Sequence, residues 1–274
     1  DDLIWTYTPP SSLAVEPIPT NVGSVRNQGI EISLRANLLR GKKDWSWELG
    51  LNASHNRNKV LELVEQGETD NGMGITIQGS GNQVLAEGHA MGAFFGYQYE
   101  GIIQDQATIN ELNAQAVAAG KNTYNGSGLR PGHLLLRDVD GNGYIDNKDR
   151  MIIGSPEADL IGGLTSTLAY KRLSLYMHFG FQIGGKKLFN KTLQNLPNQL
   201  TGLVDYNLDN RWSEDNRDAK LPAMYIGDGV APNTSLSLFN ASNLRLQELR
   251  LSYDIPKLWG GKYLNSGEIY FTAN

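Results

Sequence analysis

The sequence has no cysteine among its 274 residues, so neither a disulfide framework nor a thiolate metal site is available to it. It also lacks any run approaching the ~18 consecutive apolar residues that a spanning helix requires, which excludes helical passage through a membrane. Cations are not in excess. The formal net charge is −5, and nothing in that balance points to a nucleic-acid partner. Residues 1–20 have neither the basic start nor the apolar core of a secretory signal, so the expectation is a cytoplasmic protein, a mature form or a fragment. The four histidines, His55, His89, His133 and His178, lie far apart, with no metal-ligand spacing. The GGK at 184–186 lacks the spacing of a phosphate-binding loop, and no carboxylate pair stands out as an acid–base couple. No enzyme is expected, and no catalytic residue or bound organic cofactor is assigned.

None of these absences bears on a β-barrel, whose alternating strands and polar loops dilute its hydropathy to soluble-looking values. What is abundant is glycine, at 31 residues, and tyrosine, at 12 against 7 phenylalanines. That composition suits outer-membrane barrels and secreted β-sandwiches alike.

Strict alternation recurs along the chain. In 173–183, Leu173, Leu175, Met177, Phe179, Phe181 and Ile183 take every second position, while Ser174, Tyr176, His178, Gly180 and Gln182 fill the gaps. Successive side chains of a strand point to opposite faces, so one face is apolar and the other small or polar. The same pattern sets Ile30, Ile32, Leu34, Ala36 and Leu38 against Glu31, Ser33, Arg35 and Asn37, and Trp45, Trp47, Leu49, Leu51 and Ala53 against Ser46, Glu48, Gly50, Asn52 and Ser54. Leu160, Leu164, Leu168 and Tyr170 align in another strand, and Ile269, Phe271 and Ala273 oppose Glu268, Tyr270, Thr272 and Asn274. In 243–253 the phase slips at Gln247–Glu248, which predicts a bulge. Strands are expected near 1–8, 29–39, 45–55, 159–170, 173–184, 243–254 and 267–274. Trp45, Trp47 and Tyr170 stand at strand ends beside charged turns, where a membrane interface places amphipathic rings.

Connection lengths alternate. RGKKD (40–44) and Lys171–Arg172 are tight turns, whereas about 100 residues follow Ser54 and nearly 60 follow Gly184. Short turns on one side and long loops on the other are the habit of strands threading a membrane. An even number of crossings must then separate 45–54 from 160–170, so GAFFGYQYEGII (92–103) cannot be a lone crossing. Residues 56–158 and 185–242 are expected to be extracellular loop regions, the first holding its own β-hairpin and a helix at 107–119, where Ile109, Leu112 and Ala116 sit at helical spacing.

Residues 138–149, DVDGNGYIDNKD, fit a calcium loop of EF-hand type. Asp138, Asp140 and Asn142 supply oxygens at positions one, three and five, Tyr144 offers a carbonyl at seven, Asp146 stands at nine and Asp149 at twelve. Gly143 falls at six, where the chain turns sharply. Hard oxygen donors suit calcium first and magnesium second. HLLLR (133–137) and DRMIIG (149–154) look extended, so the loop is expected without flanking helices and with a structural role.

Residues 129–186, LRPGHLLLRDVDGNGYIDNKDRMIIGSPEADLIGGLTSTLAYKRLSLYMHFGFQIGGK, resemble the C-terminal barrel region of SusC/RagA-type TonB-dependent outer-membrane transporters of Bacteroidetes. NVGSVRNQGIEISLRANLL (21–39), GHAMGAFFGYQYEGII (88–103), DNRWSEDN (209–216) and NASNLRLQELRLSYDIP (240–256) are similar to further segments of that family, in family order. The resemblance implies an all-β fold, part of a large antiparallel transmembrane barrel with about seven of roughly 22 strands, and no plug domain or TonB-contact segment in this chain. It implies location in a Gram-negative outer membrane and import of oligosaccharides or peptides. The implied partners are a SusD-like lipoprotein lid, the TonB complex acting through other parts of the full chain, the cargo, and outer-membrane lipid. From residues alone, a secreted calcium-stabilised β-sandwich that binds glycans remains the alternative, with the apolar faces buried in a protein core.

Overall fold

The computed structural model describes residues 2–7, 18–63, 77–78, 82–126, 128–189, 210–223, 233–256 and 266–274. The chain opens with β1 (Asp2–Tyr7), β2 (Ile18–Lys42), β3 (Trp45–Leu63), β4 (Ile77–Gln78), β5 (Gln83–Ala86), β6 (Ala93–Tyr97) and β7 (Tyr99–Ile102). The one α-helix among the described residues, α1 (Gln106–Ala118), precedes β8 (Leu134–Leu136), β9 (Arg150–Gly154), β10 (Leu160–Tyr170) and β11 (Leu173–Ile183). The last elements are β12 (Lys186–Leu188), β13 (Leu238–Asn240), β14 (Asn243–Ile255) and β15 (Gly267–Ala273). Among the described residues no helix is long and apolar enough to cross a membrane.

Seven strands form one antiparallel sheet in the order β1-β2-β3-β10-β11-β14-β15. Each of the seven overlaps one of the segments where a strand was expected. The sheet is not closed, since β1 and β15 are its two ends. Residues 8–17, 190–209, 224–232 and 257–265 of the intervening connections lie outside the described residues, as do Asp1 of the expected first strand and Asp209 of the DNRWSEDN segment. The chain divides into two compact units, one comprising Asn27–Arg57, Glu157–Gly185 and Asn240–Asn274, the other Asp1–Arg26, Asn58–Pro156 and Lys186–Phe239.

In the first unit, register makes the alternation of separate strands into one surface. Leu164 pairs with Leu51 of β3 and Phe179 of β11, Leu168 with Trp47 and Leu175, and Tyr170 with Trp45 and Leu173. On the far side of β11, Leu175 faces Leu251, Met177 faces Leu249 and Phe181 faces Leu244, and Leu251 in turn faces Phe271. The slip anticipated in β14 is present: His178 pairs with Glu248 and Phe179 with Leu246, leaving Gln247 as the extra residue. One inserted residue returns Leu244 and Leu246 to the face of Leu249 and Leu251, which a continuous ladder would have denied them.

Among the described residues no protein layer covers that face. Ile30 is 66 % exposed, Leu244 71 % and Phe271 64 %. Leu49, Leu175 and Phe179 are only half-buried, covered by their neighbours across the strands. Ser166 is the polar interruption of the row, and the indole of Trp47 satisfies it by donating to its Oγ at 3.1 Å.

The second unit has conventional cores. Val84, Ala86 and Phe95 pack with Ile152, and Val25, Val60 and Leu63 with Leu85. Here the structure differs from the simplest sequence expectation. Residues 92–103 are two strands, not one: β6 joins a four-stranded sheet with β4, β5 and β9, while β7 pairs with β8 in a sheet of its own among the described residues. Neither belongs to the seven-stranded sheet, in keeping with the parity of crossings. The strands β2 and β3, at 25 and 19 residues, run well past the 29–39 and 45–55 expected. Their apolar alternation ends where anticipated, but backbone pairing continues beyond it because hydrogen bonding needs no apolar face.

The bulge gives a test. Deleting Gln247 from the full-length protein leaves L-R-L-E-L-R-L in unbroken alternation, so folded yield should be close to wild type. Deleting Arg250 instead turns Leu251 and Tyr253 to the polar face and should abolish folding, measured as folded band against unfolded band on a semi-native gel. Equal loss from both deletions would contradict the role given to the bulge.

Candidate functional site

Two features carry chemistry, the 138–149 loop and the two-faced sheet. The loop follows β8 and ends in a single turn of 3₁₀ helix at Asn147–Asp149, which leads into β9. As expected, extended strands flank it in place of helices. Asp138 folds its carboxylate back onto the loop, Oδ1 accepting from the backbone N–H groups of Gly141 and Asn142, and Oδ2 from Gly143 at 2.7 Å. Asp140 accepts from Asn142, and the Asn142 amide oxygen from the N–H of Tyr144. Gly143 has φ of +88°, a left-handed backbone that glycine takes without strain. A Cβ there would also lie 3.2 Å from the carbonyl of Gln115, so α1 packs close on the loop.

Asp146 caps the 3₁₀ turn by accepting from the N–H of Lys148, and Asp149 reaches back to the N–H of Asp146 at 2.7 Å. Its other oxygen accepts from the N–H of Val139, also at 2.7 Å. Asp149 is fully buried. Burial pushes its carboxyl above the usual carboxylate range, two backbone hydrogen bonds work against that rise, and the negative charges of Asp138 and Asp140 add to it.

Neighbouring elements hold the loop in place. The N–H of Ile145 donates to the carbonyl of Tyr124, and the buried Tyr124 hydroxyl donates to the carbonyl of Leu136. Burial also pushes the Tyr124 phenol up. The helix begins at Asp105, which caps it by accepting from both the N–H and the hydroxyl of Thr108. Ile109 and Ala116 of the anticipated helical face are buried.

The structure brings Asp138, Asp140 and Asp149 together, each offering an oxygen within 4.8 Å of the others. Calcium binds oxygen at about 2.3–2.6 Å, so oxygens that far apart can reach one ion between them. A carboxylate oxygen that already accepts one hydrogen bond keeps a second lone pair. The donor set therefore fits a hard divalent cation. Asn142 and Tyr144 lie on the same turn, while the Asp146 side chain is engaged as a helix cap.

The sheet's second face is polar. Arg35 lies 3.5 Å from Glu48, with side chains 79 % and 48 % exposed. Arg250 binds both oxygens of Glu268 at 3.0 Å, with its guanidinium 4.3 Å from the centre of the Tyr270 ring. Small residues on this face are overlaid by polar neighbours. A Cβ on Gly180 would meet the Gln247 amide at 2.4 Å, and one on Gly163 the Asn52 amide oxygen at 2.9 Å.

One cluster had no counterpart in the sequence reading. Trp212 of the DNRWSEDN segment donates to the Gln104 side chain at 2.9 Å and covers Gly132, where a Cβ would lie 2.4 Å from the indole. Arg211 beside it is buried and donates to the carbonyl of Pro222. The available signal was Gly132 itself, which follows Pro131 and has φ of +91°.

No protein-family profile matches the chain. Among curated proteins, TonB-dependent receptor P3 of Formosa agariphila is 30% identical over 266 residues, covering 96% of this chain and 25% of the relative. TonB-dependent receptor SusC of Bacteroides thetaiotaomicron is 26% identical over 261 residues, covering 92% of this chain and 23% of that protein. This chain thus spans about a quarter of the length of the curated relatives it matches. Among solved structures, the RagAB peptide importer in its closed-closed state superposes with a TM-score of 0.69 at 20% identity, over 99% of this chain and 28% of that one. Its open-open state gives 0.67 at 21% identity over the whole of this chain and 28% of that one.

An uncovered apolar face backed by a charged one, in an antiparallel sheet of this fold, defines a stretch of outer-membrane β-barrel wall. Over nearly its whole length the chain is similar to the barrel portion of SusC/RagA-type TonB-dependent receptors, which are proteins of the Bacteroidetes outer membrane.

The wall predicts that Met177→Arg, at the middle of the apolar row, costs about 2–4 kcal/mol and lowers the amount of full-length protein assembled in the outer membrane. Tyr176→Arg, one position along and on the polar face, should be tolerated. Surface labelling of intact cells reads both.

Proposed function

We propose that this chain is wall and loop of an active importer that carries oligosaccharides or peptides across the outer membrane, energised by TonB and closed from outside by a SusD-like surface lipoprotein. The observation that carries the reading is the two-faced sheet. Its apolar row suits acyl chains, and behind it Arg35, Glu48, Arg250 and Glu268 suit a cavity holding water, plug and passing cargo. The long connections 56–158 and 185–242 leave the sheet at the strand ends opposite the tight turns, which is the extracellular end of such a wall and the side a lipoprotein lid would meet. Similarity to SusC and to the RagAB peptide importer supports this class of transport.

A strain lacking the full gene should lose growth on one class of oligomer, glycan or peptide, while growing normally on the corresponding monomers. Uptake of that oligomer by wild-type cells should stop on addition of a protonophore. Undiminished growth on every oligomer would remove the importer reading.

Within this function the 138–149 loop serves as a calcium-stabilised strut, with magnesium the second choice. Asp138, Asp140 and Asp149 would hold the ion, joined by Asn142 and by the Tyr144 carbonyl. Asp146 stands at position nine of the pattern and would act through its cap or a bridging water. The ion would supply positive charge to three crowded carboxylates, a structural and not a chemical contribution. Extracellular sites of this kind are adequate at ~millimolar calcium.

Calcium at that level should lengthen the protease half-life of the 130–155 segment several-fold in the full-length protein, and Asp138→Ala should remove the effect. Protection indifferent to both would leave the loop as an acidic turn.

A further inference from the structure

The tight-turn end of the wall carries a charge pattern that import does not require. The apolar row of β2 is followed on the same face by Arg40, after Leu38. The turn to β3 is Lys43–Asp44, both with positive φ (53° and 68°). The next hairpin turns at Lys171–Arg172, and its Lys171 N–H donates to the Asp44 carbonyl at 3.0 Å. The Arg172 carbonyl in turn accepts from Asp254 of β14 at 2.9 Å. Backbone bonds therefore gather Arg40, Lys43, Lys171 and Arg172, all exposed, along one rim in a chain whose net charge is −5. Among the described carboxylates of this rim, Asp44 is taken by Lys171 at 4.0 Å, and Asp254 pairs in register with Glu268 on the opposite, polar face.

Directly beside these cations stand aromatics on the apolar face. The rings of Trp45 and Tyr170 are 4.5 Å apart, Lys171 Nζ lies 5.3 Å from the Tyr170 ring centre, and Tyr253 continues the belt opposite Leu173. Rings of this kind sit at the boundary between acyl chains and headgroups, which puts the cations at headgroup depth. At the other end of the same strands the charges are mixed, Arg57 lying 4.0 Å from Asp159.

We propose that this rim is a binding surface for the phosphate headgroups of anionic phospholipid in the periplasmic leaflet. Trp45 and Tyr170 form the platform for the glycerol and upper acyl region, and Arg40, Lys43, Lys171 and Arg172 take the phosphate. The inference rests on the wall reading above: the apolar row makes this rim a membrane border, and the tight turns put that border on the periplasmic side. Clustered Lys and Arg beside a membrane surface attract anionic lipid, and each cation neutralised weakens the preference about fivefold.

The test uses the full-length protein in nanodiscs of phosphatidylethanolamine with a minority of phosphatidylglycerol, and counts lipids retained on the protein by native mass spectrometry. Wild type should retain phosphatidylglycerol over phosphatidylethanolamine at least tenfold beyond their ratio in the disc, and less at high salt. The variant Lys43→Asn, Lys171→Asn, Arg172→Gln should lose that enrichment. Asparagine accepts the left-handed backbone of the two turns, so the wall should still assemble, as its folded band on a semi-native gel would show. Neutralising three exposed cations elsewhere, Arg137, Lys187 and Lys220, should leave the enrichment intact. A folded wild type that enters discs without enrichment, a rim variant that keeps it, or a control variant that loses it overturns the headgroup site while leaving the wall standing. Stronger retention of lipid A than of phosphatidylglycerol overturns the leaflet. Failure of the wild type to enter discs at all overturns the wall reading, and this inference with it.

Discussion

The structure depends on cross-strand register. A single strand such as Leu173–Ile183 has an apolar side whose solvent is undecided, but its hydrogen-bonded neighbours allow only one alignment of faces. Once Leu51, Leu164, Phe179 and Leu246 share a row, and Leu251 and Phe271 extend it, the apolar surface is continuous over five strands. Exposed apolar patches beyond a few hundred Å² are rare on proteins that live in water, and at roughly 25 cal/mol per Å² the penalty of wetting such a face is large. Hydrocarbon is the solvent that removes it. The Gln247 bulge shows how narrowly the arrangement is specified, since one residue of slip would have split the row of β14 in two.

What the sequence made legible is what period-2 patterning encodes: which residues share a face, where the wall strands lie, and that β14 must slip. Strand length was not legible in the same way. β2 and β3 continue far beyond Ile30 and Ala53 because their backbones keep pairing after the alternation stops, and a pattern of side chains does not record that. The division of 92–103 at Gln98 was hidden for a related reason. Both halves look like strand, and only their partners, β9 for one and β8 for the other, separate them. The contacts of Trp212 with Gln104 and Gly132, and of α1 with Gly143, join segments far apart in sequence. Local patterning carries no information about them beyond an unexplained glycine.

The acidic loop poses a different problem from the wall. Asp138 and Asp149 each accept backbone N–H groups on both oxygens, so they are already placed and do not need an ion to order them. What they lack is neutralisation. Three carboxylates share a region 4.8 Å across, one of them buried, and the only local answers are a proton or a cation. Burial, with the charges of Asp138 and Asp140, pushes the Asp149 carboxyl up, and its two backbone hydrogen bonds oppose that rise. Choosing aspartate over glutamate at this position brings the carboxylate close enough to bond both Val139 and Asp146, trading reach toward an ion for a tighter closure of the loop.

Charge elsewhere follows the solvent each face meets more than any need for stability. Arg35–Glu48 is exposed and monodentate, and exposed pairs of this kind contribute about 0–1 kcal/mol, so its value is in keeping that side of the sheet hydrated. Arg250–Glu268 has better geometry, one guanidinium nitrogen donating to both carboxylate oxygens with the group stacked on Tyr270, but it joins neighbouring strands that the backbone ladder already holds. Neither pair is required to fold the wall. Both would be replaced at little cost by small polar residues, as they are at Ser33, Ser46 and Thr272 on the same face. Persistence of charge there is therefore better explained by what lies behind the wall than by the wall itself: a wet interior needs ionised groups on one side as surely as lipid forbids them on the other.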